Sequence, residues 1–313
     1  MFARQFIFGL LVLTLTSVST APRTASASSA SSACVGDANG DAMVTIDEVL
    51  QAVTHALEGC DMMPVEIDFA AMVGDQPFAC GQSYDGLGLS ETTVIPSDFR
   101  FYVHNLRLID DKGREVPVLL EQDGIWQFED LALLDFEDKS PPCNLGTAQT
   151  NATVRGMVPT GQYDGIRFSL GVPFRLNHQD VATARSPLVL TAMFWNWQGG
   201  YKFIRIDDAT DLVRVHLGST GCETSSPNQV IGCSRQNRGE IYLSQFDPFG
   251  DTIVADLAAL FAESDLSANQ PGTPPGCMSG PGDSDCGPML ESLGVNFENG
   301  LPDPSRQTFF SVR

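Results

Sequence analysis

Short runs of alternating large apolar and polar residues, cut by glycine and proline, set the tightest limit on this fold. Val65-Glu66-Ile67-Asp68-Phe69 alternates without a break. Residues 99–108 repeat the pattern, with His104 between Tyr102 and Leu106. Ile166, Phe168 and Leu170 share a face, as do Val213, Val215 and Leu217. A strand has a side-chain period of two, so each run presents one apolar face. Turn residues separate the runs at Tyr84-Asp85-Gly86, Asp111-Lys112-Gly113, Asp123-Gly124 and Thr160-Gly161. In this half only residues 252–261 carry a helical pattern, through Ile253, Val254, Leu257, Leu260 and Phe261. Many short strands between such turns imply a mainly β protein built as a β-sandwich. The apolar content, 42% of 313 residues, is enough for a sizeable core.

Eight cysteines bear on that scaffold: Cys34, Cys60, Cys80, Cys143, Cys222, Cys233, Cys277 and Cys286. The N-terminus reads as an export signal, with Arg4, an apolar stretch over residues 6–18 and the small residues Ala25-Ser26-Ala27. An even cysteine count in an exported chain argues for disulfides that brace the sandwich. Order alone decides no pairing. Short closures join 34 to 60, 222 to 233 and 277 to 286, and leave Cys80 with Cys143. The rival is a thiolate metal site, but no C-x-x-C occurs. A lipid anchor on Cys34 is disfavoured because the apolar stretch ends far upstream. No later run is long and apolar enough to span a bilayer. The expected location is the periplasm, the cell surface or the medium.

The expected organisation is a signal peptide over 1–27, a tether over 28–33, a small helical appendage over 34–62, and the β-domain over 63–313. In the appendage, Asp37, Asn39, Asp41, Met43, Thr45 and Glu48 fall at positions one, three, five, seven, nine and twelve of a calcium loop. Met43 would offer its carbonyl. Ile46, Val49, Leu50, Val53 and Leu57 follow at helical spacing. The stretch resembles a single EF-hand or dockerin-type repeat. It departs at Ala42, where such loops place glycine, so calcium is expected to bind weakly. Residues 271–288, rich in Gly and Pro, are expected to form a loop closed by Cys277 and Cys286.

Residues 193–207 concentrate the chemistry. Two of the three tryptophans, Trp195 and Trp197, are two apart, so on a strand they share a face. Gly199-Gly200 then allows a tight return through Tyr201 and Ile206, a hairpin pattern. Three of the four histidines, His104, His178 and His216, belong to the β-domain. Imidazoles held in a strand framework suit copper or zinc. The net charge of -21 argues against nucleic acid, which needs clustered cations.

Several blocks resemble one family. They are Phe101-Tyr102-Val103-His104-Asn105-Leu106-Arg107-Leu108, Gly171-Val172-Pro173-Phe174 with Asn177-His178, and the 193–207 stretch. To these add Val215-His216-Leu217-Gly218-Ser219-Thr220-Gly221-Cys222, Gly276-Cys277-Met278-Ser279 and the closing residues 309–313. Together, in order over residues 64–313, they are similar to the MbnP-like copper proteins, the four-Cys members of the metallo-mystery pair. The resemblance implies an exported, non-enzymatic copper-binding β-protein. It further implies a companion similar to the dihaem cytochrome c peroxidases of the MauG type, which oxidises a tryptophan to kynurenine. Carried over by motif, His104, His178 and His216 are the expected copper ligands. Trp195 or Trp197 is the expected oxidation site. Some relatives place the modified tryptophan two residues before a ligand histidine, and here that position is Tyr102. The competing expectation is a secreted calcium-dependent adhesive or carbohydrate-binding module. A hydrolase is disfavoured, since no nucleophile elbow or H-E-x-x-H is present.

Overall fold

A computed structural model describes residues 61–313 apart from 227 and 228, together with a few positions between 43 and 53. The signal segment, the tether, Cys34, Cys60, Asp37, Asn39, Asp41 and Glu48 lie outside the described residues. Of the calcium-loop positions, Met43 and Thr45 are described. The Thr45 carbonyl accepts from the Val49 amide at 3.1 Å, as in a helical turn. The chain divides into two units after Cys60.

The second unit stacks two sheets. The first joins Phe310–Val312, Thr252–Asp256, Met62–Val73, Thr153–Pro159 and Leu119–Leu120, with Gln76–Pro77 folded back on Met62–Val73. The alternation of Val65, Ile67 and Phe69 buries each of them, while Glu66 and Asp68 between them stay exposed. Phe69 and Phe310 then meet Phe101 and Phe168 of the second sheet edge-on, with centroids 5.2–6.0 Å apart. Each such buried ring stabilises the stack by about 2 kcal/mol.

The second sheet is built on one long strand, Pro96–Asp110. One edge of it pairs first with Ile204–Asp208, opposite residues 96–101, and then with Tyr163–Leu170, opposite residues 103–110. The two partners abut at Tyr102. Its amide donates to Phe203 O and its carbonyl accepts from Gly171 N–H, both at 2.8 Å. Residues 172–203 therefore leave the sheet and return to it at a single point, and they lie over its outer face. That cover explains why the long strand is buried on both sides along most of its length rather than on one.

Two sequence expectations change. Residues 252–261 are not one helix. They form the strand Thr252–Asp256 and then the helix Leu257–Phe261. Asp256 accepts from the Ala258 amide at 2.8 Å and caps the helix there, while Ile253 and Val254 keep the β preference of branched side chains. The 271–288 loop is closed by Cys277–Cys286 as expected, but Cys286 already opens the helix Cys286–Ser292. Cys80–Cys143 and Cys222–Cys233 are the other two disulfides among the described residues.

Candidate metal centre and tryptophan hairpin

His104 owes its orientation to a bulge. Val103 stands opposite Leu170 and Leu108 opposite Ile166, and Ile166, Phe168 and Leu170 share one face, so the parity of the long strand reverses between Val103 and Leu108. The pairing with Tyr163–Leu170 slips by one residue at this place, and Asn105 takes a φ of 55°. A bulge with its extra residue in the left-handed region re-aims the side chains on either side of it. His104 thus faces outward with Tyr102, not with Leu106 as strict alternation implies. Its Nδ1–H donates to Gly171 O at 2.8 Å, which leaves Nε2 with the lone pair. Burial holds its imidazolium form off, down to a pKa of about 4.

From Gly171 the chain makes a single helical turn, Phe174–Asn177, and His178 ends it. The His178 ring sits edge-on to Phe174, and its Nδ1–H donates to Trp197 O at 3.3 Å. Its Nε2 accepts from Asn177 Nδ2 at 3.2 Å and lies 3.6 Å from Cys233 Sγ. Both His104 and His178 therefore tie Nδ1 to a backbone carbonyl, the outer-shell arrangement that presents Nε2 to a metal.

The hairpin is real but shorter than expected. Phe194–Asn196 pairs with Gly200–Tyr201, and Gly200 takes a φ of 79°. A side chain at Gly200 would strike Asn177 O, so glycine is required on two counts. Trp197 falls in the turn rather than on the strand, which removes the expected same-face pair of indoles. The indole of Trp195 instead lies against Gly218, where an added Cβ would come within 2.4 Å of Cζ3. Trp197 is 37% exposed. The turn is fastened to the Thr220–Ser226 and Gln229–Arg235 ribbon, since Gln198 Nε2 donates to Cys222 O at 3.0 Å.

Arg238 has no sequence signal, and it is central here. Its Nε donates to Val172 O at 2.7 Å, its guanidinium lies 5.1 Å from the Phe203 ring centroid, and its Nη2 is buried without a hydrogen bond. Burial lowers its own pKa to about 10, and its charge lowers the proton affinity of both His104 and His178.

His216 does not join them. It stands opposite Arg205, which stands opposite Arg100, so it is four positions along the long strand from His104 and two strands across. Those offsets amount to about 13 Å along and about 10 Å across. Its Nε2–H donates to Asp207 Oδ1 at 2.6 Å. Arg205 bridges Asp207 and the buried Asp98, and Asp98 holds Arg100. Burial opposes the charge on Asp207, but His216 and Arg205 outweigh it and hold the carboxyl at about 2. Strand periodicity puts Asp98 with Arg100 and Arg205 with Asp207 on one face, and that is the signal that marks this network. Among the described residues, only His178, Cys222 and Cys233 bring three His, Cys, Asp or Glu donor atoms within 4.8 Å of one another.

The family model named MbnP matches residues 62–279. Among solved structures, MbnP from Methylosinus trichosporium is 31% identical, with a TM-score of 0.70 over 80% of this chain and 98% of that one. No curated protein matches the chain. The bulge, the 172–203 excursion and the disulfide-braced sheets thus sit inside a matched region that spans most of the molecule, and the chain belongs to the MbnP family.

Proposed function

We propose that this is an exported copper-binding protein, not an enzyme, and that one tryptophan of the 193–207 hairpin is oxidised to kynurenine by a MauG-type dihaem peroxidase. The observation that carries the proposal is the common setting of His104 and His178, both within the field of the buried Arg238 guanidinium. Each has Nδ1 bound to a backbone carbonyl, Gly171 O for His104 and Trp197 O for His178, and Nε2 left with its lone pair. Neutral imidazoles fit copper, and copper supplies a redox-active Lewis acid when bound. His216 is the third imidazole of the sequence expectation, and the proposed ligand set leaves it out because it stands two strands across and four positions along from His104.

The oxidation balances with peroxide as oxidant. Two peroxide oxygens enter across the C2–C3 bond of the indole, that bond breaks, and two waters leave. Hydrolysis then releases formate and gives kynurenine. The product carries a ketone and an aryl amine, both within the reach of a hairpin residue. Trp195, half-buried against Gly218, and Trp197, exposed in the turn, are the two candidates. Calcium at the 37–48 loop is a separate and weaker proposal that rests on its oxygen-ligand spacing.

Copper analysis of the purified chain tests the ligand assignment. The expected result is one copper per chain, lost in His104→Ala and in His178→Ala and kept in His216→Ala. Copper kept in both of the first two variants overturns the assignment. Calcium alone, with affinity for glycans, would favour an adhesive module instead.

A further inference from the structure

We propose that Cys222, Cys233 and His178 form a second metal site, closed while the two sulfurs are bonded to each other and opened when a dithiol reduces them, which takes a soft cation of the Cu(I) or Zn(II) kind. The proposal does not rest on the copper assignment above; both sites draw on the one free lone pair of His178, so they exclude each other, and the test is read with the first site removed by His104→Ala.

Geometry carries it. The two sulfurs and a His178 nitrogen already lie within 4.8 Å of one another, and Nε2 is 3.6 Å from Cys233 Sγ. Thiolates on one ion, with bonds of about 2.3 Å, stand about 3.8 Å apart. The donors therefore reach a common ion by side-chain rotation, without backbone movement. Two thiolates and one imidazole leave a fourth position open, and that donor set selects Cu(I) and Zn(II) over hard cations. The Nδ1–H bond to Trp197 O fixes the imidazole so that Nε2 faces the sulfurs. Asn177 Nδ2 now donates to that lone pair, and the ion would take its place.

Access favours this disulfide. Cys277 and Cys286 are fully buried, and the Cys80–Cys143 bond has one buried and one partly exposed end, whereas Cys222 and Cys233 are both partly exposed. Thiol–disulfide exchange needs in-line approach to a sulfur, so a dithiol reaches this pair first. The ribbon does not depend on the bond. Cys222 stands directly opposite Cys233 in the strand register, Gln198 holds Cys222 O, and Arg235 Nη1 donates to Glu298 O at 2.8 Å. On reduction, two electrons from the dithiol break the S–S bond and the reductant closes its own disulfide. Two protons go to the cysteine sulfurs, and metal binding releases them to water.

The test uses the full-length protein. It is reduced anaerobically with graded dithiothreitol, mapped by alkylation and mass spectrometry, and titrated with Zn(II) and with Cu(I) against a competing chelator. The expected result is that Cys222 and Cys233 alkylate before the other cysteines of the β-domain. In the His104→Ala background, which lacks the first site, the reduced form then binds one ion more than the oxidised form and releases thiol protons as it does so. His178→Ala weakens the gained site at least about tenfold, the loss that even outer-shell changes produce. In that same background the double variant Cys222→Ser, Cys233→Ser gains nothing, which assigns the gained ion to this site and not to the copper site above. The two titrations identify which ion is held more tightly. Earlier opening of another β-domain disulfide, reduction without a gained ion, a gain unaffected by His178→Ala, or unfolding on reduction each overturns the proposal.

Discussion

His104→Gln is a direct probe of the cover formed by residues 172–203. A glutamine amide carries a donor for Gly171 O, so in the metal-free chain the substitution removes the titration. Burial moves the His104 pKa from 6.5 to about 4. The folded value lies below the unfolded one, so between them the unfolded chain binds more protons. Stability from this group is complete above the unfolded value and is lost as pH falls toward the folded value. At about 1.4 kcal/mol for each pKa unit, the loss by pH 4 amounts to about 3 kcal/mol. Urea unfolding of both proteins at neutral pH and near pH 4 measures it. The wild type is expected to lose about 3 kcal/mol more than His104→Gln over that interval. The His104 ring proton should also titrate near 4 by NMR. Equal acid sensitivity of the two proteins, with a ring that titrates at its ordinary 6.5, would refute the burial of this imidazole and the orientation built on it.

Gly218→Ala should destabilise the chain by about 1–3 kcal/mol and shift tryptophan emission, since its Cβ meets Trp195 Cζ3 at 2.4 Å and Tyr201 O at 2.9 Å. An unchanged denaturation midpoint and spectrum would dislodge Trp195 from that seat. Asp207→Asn removes the negative charge that faces His216 and Arg205 and turns one of its two acceptor oxygens into a donor, and should cost about 3–5 kcal/mol at neutral pH in the same urea assay. Asp207 is held at about 2, below its ordinary 3.8, so its stabilisation is present above the ordinary value and fades as pH falls through the lower one. The variant should therefore show a flatter acid limb below pH 4, and an identical limb would count against the network.

The strands were legible because their alternation survives in the structure. Val65, Ile67 and Phe69 point inward as their spacing implies, and Ile166, Phe168 and Leu170 are buried in the same core. The long strand was legible in extent but not in facing, because the left-handed Asn105 breaks the period and no propensity marks the break. That one residue decides which way His104 looks. The hairpin turn was legible at Gly199-Gly200, while its length was not. The turn absorbs Trp197, and Asn177 fixes the close approach at Gly200 from another segment. His216 illustrates a deeper limit. Its sequence neighbourhood matches a family block, yet its partner Asp207 is set by strand pairing that no local pattern encodes. Arg238 was invisible for the same reason, since its role comes from Val172 O and the Phe203 ring, both distant in sequence. The contact between His178 and the Cys222–Cys233 bond is likewise a product of the excursion packing beside the ribbon.

The central claim is that an oxidisable indole lies on the hairpin that holds His178, whose ring donates to Trp197 O. Peptide mapping by mass spectrometry, after treatment of the full-length protein with peroxide and a MauG-type dihaem peroxidase, measures this most directly. The account predicts that Trp195 or Trp197 exchanges one carbon for one oxygen, the mass change of kynurenine, while Trp126 on the far side of the long strand's pairing stays intact. Unmodified Trp195 and Trp197, or conversion of Trp126 in their place, would contradict it.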